Sequence, residues 1–109
     1  MLTTWLILFA SIVVEVVGTA LLKMSDGFTK VLPTVGMFIM YSLAFWGLSV
    51  VVKKMDVGMA YAIWAGLGTA LVAMVGITFF GDKVNALKVA SLALIIAGIV
   101  GLHFSSKLG

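Results

Sequence analysis

The sequence predicts an all-α membrane protein of four transmembrane helices, with almost nothing outside the bilayer. Three observations predict it. Only 10% of the residues are charged and 63% are hydrophobic, whereas an ordinary soluble domain carries about 25% charged residues. A surface that poor in charge needs lipid as its solvent. The apolar residues also gather into four stretches near the length that crosses a hydrocarbon layer of ~30 Å at ~1.5 Å rise per residue. The polar residues gather into the short turns between them.

The first span covers residues 3–22 and holds one acidic residue, Glu15. It lacks a basic leading region and is too long for the apolar part of a signal peptide, so it is expected to be retained. A polar turn over residues 23–30 leads to the second span, 33–52, which has no charge. Pro33 suits the first turn of that helix, where its missing N–H costs nothing. The turn Lys53-Lys54-Met55-Asp56 precedes a third uncharged span, 57–80. Gly81-Asp82-Lys83 follows, and the last span is 87–104, with Lys88 at its start and His103 at its end. These spans leave no room for a soluble domain, so residues 1–109 are expected to form a single four-helix transmembrane unit.

Charge excludes some roles and complicates the topology. The net charge of +3 comes from lysines at helix ends rather than from a basic run, which speaks against nucleic-acid binding. With no cysteine, disulfides and thiolate metal sites are excluded. Lys53, Lys54 and Lys107 lie on one side of the membrane, against Lys23, Lys30, Lys83 and Lys88 on the other. Three against four is nearly no bias under the positive-inside rule. Either a single topology is weakly determined, or the chain inserts both ways and opposite copies pair as an antiparallel dimer. Four short helices barely enclose a polar cavity, so a site for a molecule calls for walls from a second copy. The fourth helix offers small residues for close helix contact: Ser91, Ala97, Gly98 and Gly101, with Ala97 and Gly101 four residues apart.

Glu15 is the residue on which function turns. It is the only acidic residue well inside a span, and an ionised residue at a helix centre costs ~2.5–3.5 kcal/mol or more. No Lys or Arg lies deep in another span, so a structural ion pair has no donor. With no pair available, protonation is the remaining way to neutralise it. A group held this way exchanges protons, and once ionised it is the counter-ion for a cation.

Its surroundings fit that use. Positions three and four residues away share its helix face, which sets Ser11, Gly18 and Thr19 beside it as a small, partly hydroxylated stripe among Leu8, Ile12 and Leu22. On the third helix Tyr61, Trp64 and Gly68 share a face, and aromatic rings attract cations, Trp most strongly. An interfacial aromatic belt is the alternative, better suited to Tyr61 than to the deeper Trp64. On the second helix Tyr41, Ala44 and Phe45 form a face near mid-depth, where Tyr41 either bonds Glu15 or a ligand or simply packs. Gly66 and Gly68 allow a kink in the third helix, or close packing. The chain's single His stands at a span end and no nucleophile–base pair is present, so no enzyme and no cofactor are expected. Metal-ligand spacing is absent as well.

Nearly end to end, the sequence resembles the small multidrug resistance family of four-helix exporters. The resemblance rests on Val14-Glu15-Val16-Val17-Gly18-Thr19 and on Leu22-Lys23 through Ser25-Asp26-Gly27-Phe28-Thr29-Lys30 to Pro33. It continues in Ala60-Tyr61-Ala62-Ile63-Trp64-Ala65-Gly66-Leu67-Gly68 and in Phe80-Gly81. It implies an antiparallel dual-topology dimer in a bacterial plasma membrane that exchanges protons for organic cations. The family's essential glutamate corresponds to Glu15, and its binding aromatics to Tyr41, Trp64 and Tyr61. Its dimer contact corresponds to the stretch around Ser91 and Gly98. One branch of the family exports quaternary ammonium and aromatic cations, the other guanidinium ions. Gly18 and Ala44 match the multidrug branch, whereas residues 90–102 look more like guanidinium exporters. A quaternary ammonium exporter is the expectation that follows. The alternatives are a guanidinium exporter, a subunit of a paired heteromeric transporter, or an accessory membrane protein.

Overall fold

The computed structural model describes residues 2–108, with side chains described through residue 105; the Lys107 side chain, counted above for orientation, lies outside them. Four helices make up the fold: α1 (Leu2–Met24), α2 (Val31–Val51), α3 (Val57–Phe79) and α4 (Ala86–Leu108). Each is long and apolar enough to cross a membrane, and no strand occurs among the described residues. Helix α2 begins two residues before Pro33, which still falls in the first turn, where four N–H groups have no intrahelical partner in any case. Helix α4 runs past His103 to Leu108, because a helix does not need apolar residues to continue beyond the hydrocarbon.

The connections explain where the helices stop. After α1, Asp26, Gly27 and Phe28 take left-handed φ values of 50°, 69° and 68°, which no helix can propagate. The fully buried Ser25 stitches this turn, donating from Oγ to the Leu22 carbonyl at 2.7 Å and accepting from the Phe28 N–H at 3.1 Å. After α3, Gly81 at φ +71° reverses the chain, and the Gly76 carbonyl accepts from the N–H groups of both Phe80 (3.1 Å) and Asp82 (3.0 Å). Asn85 then caps α4, its Oδ1 accepting from the Lys88 N–H at 2.8 Å, as expected of an N-cap asparagine.

Helix α1 packs chiefly on α2 and less extensively on α3, while α4 packs mainly on α3. In lipid, apolar side chains gain little by leaving the solvent, so close contact depends on small residues. The α1–α2 seam follows that rule. Gly47 receives the Ser11 side chain and Gly36 receives Leu21. Leu8, Ile12 and Val16 of α1 meet Ala44 and Val51 of α2 and Ala60, Ile63 and Trp64 of α3 in a buried cluster. No described residue of α4 is buried. The protomer is accordingly a slab of 47 × 35 × 18 Å.

Candidate functional site

Glu15 lies two residues past the middle of α1 and is half-buried. One helical turn on, Thr19 Oγ1 donates to Glu15 Oε1 at 3.1 Å. The same Oγ1 shares a 2.8 Å hydrogen bond with the Tyr41 hydroxyl. A hydroxyl has one proton to give. With that of Thr19 directed at the carboxylate, Tyr41 is the donor to Thr19. The three groups form a chain from Tyr41 through Thr19 to Glu15. Gly18 makes this possible, because a Cβ there would stand 2.8 Å from two carbons of the Tyr41 ring. The ring uses the space that a side chain at position 18 would fill.

The second carboxylate oxygen is treated differently. Glu15 Oε2 is buried and has no hydrogen-bond partner among the described residues. It lies against Gly68 of α3, where even a Cβ would keep ordinary contact at 3.6 Å. A buried oxygen without a partner costs on the order of 1–3 kcal/mol, more when it is charged.

Around this carboxyl lies a cavity of about 670 Å³. Thr19, Tyr41 and Phe45 line it from α1 and α2, and Tyr61, Trp64 and Gly68 from α3. Phe45 stacks on Trp64 with ring centroids 6.1 Å apart and planes within 7°. Tyr41 tilts against Phe45 at 6.5 Å. Trp64 is 7% exposed, whereas Phe45 and Tyr61 are 58% and 63% exposed, so the cavity opens at the side of the protomer. Chemically it offers one carboxylate oxygen, a hydroxyl chain and ring faces. That combination accommodates a proton or a cation with an apolar body. No group of three or more His, Asp or Glu side chains able to hold a metal occurs among the described residues.

Glu15, Thr19, Tyr41, Phe45, Tyr61, Trp64 and Gly68 therefore meet round one space, with Gly18 beside it. Others singled out in the sequence lie elsewhere. Ser11 turns into the α1–α2 seam against Gly47, and Ala44 is fully buried in that seam. Gly66 faces α4, where a Cβ would stand 3.1–3.3 Å from Ile95 and Ile99. Helix α3 runs unbroken through Gly66 and Gly68. Ser91, Ala97, Gly98 and Gly101 are exposed on α4. Sequence reasoning missed Ala65, Thr69, Val72 and Ala73, which complete the α3 wall. The signal was there: Ala65, Thr69 and Val72 continue the Tyr61 stripe at four, eight and eleven residues.

Comparison with known proteins identifies the family. A family model described as Small Multidrug Resistance protein matches residues 3–95. The quaternary ammonium compound-resistance protein QacE of Escherichia coli is 42% identical over 94% of each chain. The multidrug resistance protein EbrB of Bacillus subtilis is 44% identical over 92% of this chain and 86% of its own. The nicotine metabolites export pump subunit NepA of Paenarthrobacter nicotinovorans is 41% identical over 96% of this chain and 90% of its own. The chain belongs to the small multidrug resistance family, and is a multi-pass bacterial membrane transporter rather than an enzyme.

Proposed function

We propose that this transporter exports lipophilic organic cations, such as quaternary ammonium compounds, in exchange for protons. Cation and proton compete for Glu15. The observation that carries the reading is Oε2 of Glu15, buried without a partner against a cavity walled by Tyr41, Phe45, Tyr61 and Trp64. A proton or a cation removes the cost of that oxygen, and the two cannot occupy it together. Ring faces hold the apolar body of the cation, at about 0.5–2 kcal/mol per ring. Mutual exclusion at one carboxyl, in a cavity open to one side at a time, couples the two flows. The name of QacE, a quaternary ammonium compound-resistance protein, favours the same substrate class. Aromatic walls and the Gly18–Tyr41 contact favour a greasy, delocalised cation over guanidinium.

The test is charge movement in proteoliposomes of the purified protein. Addition of a quaternary ammonium compound is expected to give currents that vanish in Glu15→Gln. Currents driven by guanidinium alone would reassign the branch, and drug-driven proton release persisting in Glu15→Gln would sink the glutamate assignment. A second reading, a subunit that needs a non-identical partner, draws support from the description of NepA as a pump subunit. Silence of the purified chain with both compounds would favour it.

A further inference from the structure

A second cavity, of about 320 Å³, lies where α1 and α3 end on the same side of the membrane. Its walls are apolar, from Val75 and Phe80 among others, and it carries two charged groups, Lys23 and Asp82. Thr19 and Val72 line this cavity and the Glu15 cavity alike, so the two spaces are neighbours separated by those side chains.

Asp82 is built into this place. Its N–H is held by the Gly76 carbonyl at 3.0 Å, which folds the residue back over the end of α3. Its carboxylate lies on Gly76, where a side chain at position 76 would otherwise stand. The three atoms nearest that position all belong to Asp82. Asp82 and Lys23 are both exposed, and among the described residues no lysine is paired with Asp82. An unpaired carboxylate above an apolar hollow attracts organic cations in the same way as Glu15, but nearer to water.

We infer that Asp82 forms an outer cation site, a vestibule from which an organic cation passes Thr19 and Val72 to reach Glu15, or through which it leaves. The inference rests on the export of cations proposed above. Lys23 across the hollow keeps residence short, because a bound cation feels both charges. The Asp82 carboxylate attracts a cation at short range and so acts on the rate of capture, whereas Glu15 sets the equilibrium.

Initial uptake of a fluorescent quaternary ammonium probe into proteoliposomes tests this, with wild type, Asp82→Asn, Asp82→Glu and Gly76→Ala compared at low and high salt. Asp82→Asn is expected to lower kcat/KM about three- to tenfold at low ionic strength with kcat unchanged, the difference closing at high salt. Asp82→Glu should restore most of it. Gly76→Ala, whose Cβ meets the Asp82 side chain first, should reproduce the loss with every charge retained. Wild-type kcat/KM in Asp82→Asn would overturn the vestibule while leaving Glu15 untouched. An effect confined to vesicles containing phosphatidylethanolamine would overturn it too, and would assign the hollow to a lipid headgroup. Undiminished uptake in Glu15→Gln would instead fault the reading of the main site.

Discussion

Thr19 gives the two oxygens of Glu15 unequal lives. One is held by a hydroxyl that is itself held by Tyr41, and the other is left to the cavity. A hydrogen bond to an ionised group contributes about 1.5 kcal/mol or more. Thr19→Val keeps the shape and removes the donor, so cation affinity measured by calorimetry should fall about tenfold. Tyr41→Phe keeps the ring and the Thr19–Glu15 bond, and its loss should stay within about threefold. Equal losses would mean that Tyr41 meets the cation directly and the chain of hydroxyls is incidental. Much of this site was legible, because a carboxyl in a span is costly and helical spacing names its neighbours. Which neighbours face the cavity was not. Ser11, Gly18 and Thr19 all lie within one turn of Glu15, yet Ser11 points into the seam and Thr19 into the cavity. Their division depends on how α1 is rotated against α2, a property of the packed pair that periodicity along one helix does not contain.

The α1–α2 seam is where that rotation is set. Gly47 admits the Ser11 hydroxyl so closely that no Cβ fits between them, with Ile7 behind. Gly47→Ala should therefore force the helices apart at a cost of about 1–3 kcal/mol, read as a lower unfolding temperature in detergent by circular dichroism. Ser11→Ala in the same chain should recover part of the loss, because the hydroxyl oxygen is the nearest obstacle. No recovery would place the strain in the backbone rather than between these side chains. The elements themselves were legible in sequence because hydrocarbon demands long apolar runs. Their ends were less so. Val31 and Leu32 are helical ahead of Pro33, and α4 continues to Leu108, since hydropathy marks where lipid begins and not where hydrogen bonding stops.

At the scale of the molecule, the exposure of α4 and the sideways opening of the cavity both fit the proposal that a second copy completes the site. A Cβ at Gly98 or Gly101 would meet nothing within 4 Å, so that face of α4 is free for close approach by another helix. The alternation of helices puts Lys53, Lys54 and Lys107 at one end and the other four lysines at the opposite end. With so little bias, copies of both orientations can meet, and an antiparallel pair would bring two Glu15 carboxyls toward one space. Charge removal tests this. Lys53→Gln with Lys54→Gln leaves one lysine against four, and Lys30→Gln with Lys83→Gln and Lys88→Gln leaves three against one, from the seven in the chain. Each set fixes an opposite orientation under the positive-inside rule. Cells producing either variant alone should lose resistance to a quaternary ammonium compound, and cells producing both should regain it. Full resistance from one variant alone would mean that copies of a single orientation suffice. In that case the near balance of lysines would say nothing about assembly, and α4 would have to close the cavity in a parallel pair.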